Sequence, residues 1–159
     1  MQKRIFKATL VLVFLPVIIF SQKTDHHNVT VHVQPIALLQ INVGAVNLNI
    51  TGAQFIVGQD QMTVTDQSTT ILWGTNSSLK KITVSTNLSA PIFVLKILAV
   101  NPTIGMAASE VTLSTVGTDL ILNIGRSSGS SSLRYTGVVL ASNGAGKDTH
   151  SITFTIQSQ

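Results

Sequence analysis

Apolar residues recur at every second position through much of the chain, and this period predicts strands rather than helices. In 29–34, Val29, Val31 and Val33 alternate with Thr30, His32 and Gln34. The valines then share one face of a strand and His32 looks outward. Residues 36–41 are more continuously apolar, as in a central strand, and 46–50 alternates again with Val46, Leu48 and Ile50 on the buried side. Further strands are expected over 62–65, over 69–75 with Ile71 and Trp73 on one face, and over 80–86 with Ile82 and Val84 on one side.

Residues 92–100 form the most apolar segment, bounded by Pro91 and by Asn101-Pro102, since proline cannot donate to a ladder. Lys96 shares a face with Val94 and Leu98, and a cation there marks an edge strand or a snorkelling stem. A strand over 118–124 follows. Residues 133–142 and 150–157 read as an antiparallel hairpin, because Asn143, Gly144 and Gly146 between them tolerate positive φ. Ile152, Phe154 and Ile156 are expected to face the core. The serine-rich 127–132 reads as a flexible loop.

Short strands punctuated by Gly, Asn, Asp, Pro and Ser indicate an all-β fold, an antiparallel β-sandwich of Ig-like or pilin-like type. The expected organisation is a signal peptide over 1–21, a flexible arm over 22–28 and a single β-sandwich domain over 29–159. The leader rests on Lys3, Arg4 and Lys7 ahead of an apolar run over 8–20, with cleavage after Ser21. Ile19, three residues before that point, is larger than the residue usually favoured there. An uncleaved anchor is the alternative, but a spanning helix needs about 20 apolar residues. Contact with the membrane is accordingly expected only through the leader during export, to a secreted, periplasmic or outer cell-surface destination.

Charged residues make up only 10% of the chain, so Ser, Thr, Asn and Gln must supply the polar faces. The net charge of +4 owes three of its cations to the leader, which leaves no basic footprint for nucleic acid. Lys80-Lys81 reads as a solvated strand start. The absence of cysteine excludes disulfides, thiolate metal sites and a lipoprotein anchor.

Candidate chemistry is sparse. Gly125-Arg126-Ser127-Ser128-Gly129 matches the G-x-S-x-G pattern of a nucleophile elbow, and Asp148 and His150 follow in the chain order of a hydrolase triad. That motif needs a strand–turn–helix context, whereas a serine-rich loop and a strand are expected here. Gly144-Ala145-Gly146-Lys147 resembles part of a phosphate loop, but Ala141 replaces its first glycine and Asp148 its magnesium-binding hydroxyl. His26, His27 and His32 could offer imidazoles to a metal, with Asp25 nearby, yet lie in or next to the arm. Asp60, Asp66 and Asp119 lack calcium-loop spacing and read as turn residues. Trp73 reads as core. Asn28, Asn49, Asn76 and Asn87 open N-x-[ST] triplets of the kind that arise by chance in a Ser- and Thr-rich chain. No catalytic, cofactor-binding or metal residue is assigned, and no cofactor is expected.

Several segments together resemble a group of small secreted proteins of Bacteroidota. They are Phe20-Ser21-Gln22, the run over 36–41, Leu72-Trp73 followed by Lys80-Lys81-Ile82-Thr83-Val84, the run over 120–125, Leu133-Arg134-Tyr135-Thr136 and the closing run over 152–156. The chain has Gln40 where that pattern carries Asp, and Gly74-Thr75-Asn76 where it carries a Tyr-containing stretch. The resemblance implies secretion and a β-sandwich, and supplies no activity or site residues. The function expected is a noncatalytic structural or adhesive surface protein, with other surface subunits as partners. A small glycan-binding module contacting its ligand through 52–60 or 127–132 is the alternative, and a hydrolase with Ser127 as nucleophile the third.

Overall fold

The structure is a computed structural model that describes residues 23–42 and 44–159. The leader assigned to 1–21 lies outside the described residues. Residues 23–36 are exposed and carry no regular secondary structure. The compact unit runs Val33–Gln159 and is built from β1 (Ala37–Asn42), β2 (Gln61–Thr75), β3 (Lys80–Thr86), β4 (Val94–Val100), β5 (Met106–Ala107), β6 (Val111–Thr112), β7 (Thr118–Ile124), β8 (Ser127–Leu140) and β9 (Ile152–Ser158). One sheet has the order β1-β2-β8-β4-β6 and the other β5-β7-β3-β9. Among the described residues every pairing is antiparallel, and the structure is nearly all β, with two antiparallel sheets.

The inward positions of β2, β4 and β8 follow the expected period, whereas β7 buries the adjacent Leu120 and Ile121 where its register with β3 shifts. Ile71 and Trp73 of β2, Ile97 of β4 and Leu133 of β8 are buried together with Ile82 and Val84 of β3 and Leu120, Ile121 and Ile124 of β7. They form one apolar cluster drawn from both sheets, against which Ile152, Phe154 and Ile156 pack partly buried. Residues 62–65 and 69–75, expected as two strands, are a single β2 interrupted by a register shift between Asp66 and Thr69. The inward positions slip there from even numbers (Met62, Val64) to odd ones (Thr69, Ile71, Trp73), as one extra residue in a bulge requires.

Other expectations are corrected as well. Residues 29–34 are not a strand: among the described residues nothing forms a ladder with them, and a period-two pattern gives the capacity to form a ladder but not the partner. The strand expected over 36–41 is β1, Ala37–Asn42, which lies at a sheet edge and not at its centre. Residues 46–50 keep the alternating burial of Val46, Leu48 and Ile50 but join no ladder. The expected hairpin is divided, with β8 held between β2 and β4 in one sheet while β9 pairs β3 in the other.

The serine-rich 127–132 is likewise no loop but the first half of β8, in register with Thr70 to Thr75 of β2. Packing explains the small residues. A Cβ added at Gly129 would lie 2.5 Å from Cζ2 of Trp73, so only glycine lets the indole settle against this strand. Ser131 is buried and its hydroxyl donates to the Val100 carbonyl at 3.0 Å.

Candidate functional site

Beyond the bulge at Asp66, β2, β8 and the start of β4 continue, and their inward side chains line an open cleft of about 1470 Å³. Met62 and Val64 of β2, Val139 of β8 and Leu95 of β4 form one wall, and Ile152 and Phe154 of β9 stand on the other side. Residues 44–52 and 144–150 border the opening. Leu48 reaches deep into it: a Cβ added at Gly137 would lie 3.3 Å from Leu48 Cδ1, so this glycine makes the room that the leucine occupies.

Segment 44–50 is the weakly held border of the cleft. Its apolar residues are half-buried with period two, yet it makes no backbone hydrogen bond among the described residues. The opposite border is tied down. Asp148 Oδ2 accepts the Phe93 N–H at 2.8 Å, His150 Nδ1 lies 3.0 Å from Thr86 Oγ1, and Ala141 N–H donates to the Asp60 carbonyl at 2.8 Å.

Two polar groups mark the inner end of the cleft. Thr69 lines it, is 2% exposed, and its Oγ1 finds no hydrogen-bond partner among the described residues. A buried hydroxyl without a partner costs about 1–3 kcal/mol. Tyr135 is also buried there, and its pKa is pushed up to about 12 by burial and, secondarily, by the negative charge of Asp66. Asp66 itself is held below the usual carboxylate range by the Ser68 hydroxyl, which donates to Oδ1 at 2.7 Å, and by the Ser68 backbone N–H at 3.0 Å. This local turn shapes the bulge that changes the phase of β2.

The residues singled out in sequence are dispersed. Ser127 begins β8 opposite Thr75, and its hydroxyl donates to the Gly125 carbonyl at 3.2 Å. Asp148 and His150 lie by the cleft. Ile124, just before Ser127, pairs with Lys80 at one end of β3, whereas Ile152, just after His150, pairs with Thr86 at the other. Six strand steps of ~3.3 Å separate those ends by about 20 Å, so Ser127 and His150 do not form a nucleophile–base pair. His26, His27 and His32 are exposed, and among the described residues no group of three or more His, Asp or Glu gathers around a metal position.

Asp119 is not a turn residue. It lies in β7 and pairs with Lys81 at 2.8 Å. Lys96 lies on β4, whose outer side is covered only by the two-residue β6, and its Nζ is 3.8 Å from Glu110. Trp73 is core, with Nε1 unpartnered among the described residues. Sequence reading missed Thr69, Tyr135 and the cleft itself. The phase slip from Met62 and Val64 to Ile71 and Trp73, with Asp66 and Ser68 between, was the available signal. Compared with known proteins, the chain matches no family model, no curated protein and no solved structure.

Proposed function

We propose that the protein is a noncatalytic secreted or cell-surface protein with a structural or adhesive role, acting as an assembly subunit. In this reading its two sheets pack face to face as a β-sandwich of Ig-like or pilin-like type, delivered by the leader over 1–21. The shared apolar cluster, drawn from both sheets, supports that packing.

One observation carries the functional reading. β9 is the outermost strand of its sheet, and Ile152–Ser158 contains no charge and no proline. Soluble proteins usually blunt such an edge with lysine, proline or a bulge to prevent pairing with other chains. An unguarded edge suits a protein that adds strands from a neighbour. Sedimentation of the exported protein across a wide concentration range is expected to show self-association or association with surface subunits. A strictly monomeric protein that stays off the cell surface sinks the proposal.

A second reading, a small glycan-binding module, is favoured by the loop after the 3-10 turn Gly52–Gln54, where Phe55, Ile56 and Val57 are exposed side by side. Loops on a rigid scaffold commonly carry binding contacts. Binding on a glycan array that is lost in Phe55→Ala is the expected result; no binding to any glycan removes this alternative.

A further inference from the structure

We infer that the cleft bordered by 44–52 and 144–150 is a binding site for an uncharged long-chain amphiphile, apolar along its length and bearing a hydroxyl or carbonyl oxygen at its leading end, which the Thr69 and Tyr135 hydroxyls receive. The site stands apart from the assembly reading, and either can fail without the other.

The lining sets the body of the ligand. Met62, Val64, Leu95, Val139, Ile152 and Phe154 make the walls apolar in a cleft of about 1470 Å³, beyond the roughly 300–1,000 Å³ of ordinary small-molecule sites. Apolar walls with a few polar groups that fix orientation are the usual make-up of a ligand site, and a compact polar ligand would leave these walls uncovered.

The inner end sets the polar group. In the register of β2 with β8, Tyr135 lies opposite Asp66 and Leu133 opposite Thr69, so the two hydroxyl-bearing side chains leave neighbouring strands on the same inward face at the bulge. Thr69 is 2% exposed with Oγ1 unpartnered among the described residues, and no hydrogen bond holds the Tyr135 phenol there. Buried hydroxyls normally have partners. Each can donate and accept, so one oxygen arriving along the cleft satisfies both.

Charge decides the class. The ionisable side chains that line the cleft are Tyr135, Lys147, Asp148 and His150. Lys147 and Asp148 offset each other at the border, and Asp148 already accepts the Phe93 N–H. At the inner end the charge that acts on Tyr135 is the negative one of Asp66, which repels a carboxylate. Entry needs one side chain to yield, because the Thr69 oxygen has no open surface. Leu48 is placed to do so: it packs at Gly137, two residues from Tyr135, on a segment that makes no backbone hydrogen bond among the described residues.

The test displaces the fluorophore N-phenyl-1-naphthylamine from the exported protein with octan-1-ol, octane or octanoate, three probes of equal chain length. Octan-1-ol is expected to bind more tightly than octanoate. Thr69→Val and Tyr135→Phe are each expected to weaken octan-1-ol about tenfold, the loss of one hydrogen bond, and to leave octane unchanged. Octanoate that binds as well as octan-1-ol, octan-1-ol that binds both variants like the wild type, or no displacement by any probe overturns the inference. So does an equal loss of octane in both variants, which marks a disturbed wall and not a lost hydrogen bond. Urea midpoints check the premise in the free protein. Thr69→Val is expected to keep or raise the midpoint, because it removes a hydroxyl that has no partner; a midpoint well below the wild type shows that the hydroxyl is already bonded and overturns the inference as well.

Discussion

The two ends of the compact unit use the same strands differently. Around Ile71, Ile82, Ile97, Leu120 and Leu133, side chains from both sheets meet and exclude water completely. Beyond the Asp66 bulge, β2 and β8 carry the same alternation, yet Met62, Val64 and Val139 remain only half-buried along an open cleft. The difference lies in what faces the strands. At the closed end buried side chains of both sheets gather in one cluster, and at the open end the half-buried 46–50, which joins no ladder, and β9 border a cleft. An apolar pattern contributes its stabilisation only to the extent that a second layer covers it.

Core truncations separate the two ends most strongly. Ile71→Ala at the closed end is expected to cost about 3–4 kcal/mol, through lost transfer energy and a cavity that cannot collapse. Val64→Ala at the open end is expected to cost about 1 kcal/mol or less. Urea midpoints measure both, and equal losses would show that the cleft is as tightly packed as the core.

Gly129→Ala sharpens the picture of the closed end, because the added methyl group meets the Trp73 ring. It is expected to destabilise by up to about 3 kcal/mol and to shift the emission of the only tryptophan. Wild-type stability and emission would mean that the indole has room to move.

Tyr135 stands between the two ends and reports on both. With its folded pKa at about 12 and an unfolded value near 10, its contribution is fully present below pH 10. It is lost as pH rises from about 10 to 12, because the unfolded chain releases the phenolic proton first. The loss is on the order of 2 kcal/mol. This is the only tyrosine, so phenolate absorbance follows it directly, and a native titration near pH 10 would show that solvent reaches the ring freely. The smallest effect belongs to the surface of the second sheet: Lys81→Ala, which removes the ion pair with Asp119, is expected to cost about 0.5 kcal/mol. A larger loss at high salt would contradict a screened surface pair.

Much of the strand content was legible because burial in a sheet has a fixed period. Residues 80–86 and 118–124 become β3 and β7 at those same bounds, although β7 buries the adjacent Leu120 and Ile121, and Trp73 is core as its spacing indicated. The serine-rich 127–132 misled because composition records flexibility in isolation, whereas here small side chains are what packing against Trp73 and Val100 demands. The triad of Ser127, Asp148 and His150 shows the same limit. Chain order carries no distance: Ser127 lies toward the Lys80 end of β3, and His150 toward its Thr86 end. The cleft was illegible for a further reason, since nothing local distinguishes a covered apolar position from an uncovered one.

The amino-acid sequence by itself determined that inward and outward residues alternate, where glycine and proline interrupt them, and that stability must come from packing without disulfides. Those properties depend on neighbours a few residues apart. Only the tertiary structure decided which alternating segments found partners. β8 was taken by β2 and β4, β9 went to the other sheet, and among the described residues 29–34 and 46–50 join no ladder. Pairing across a sheet joins residues far apart in the chain, and the identity of a strand's neighbour is set by competition among all edges at once.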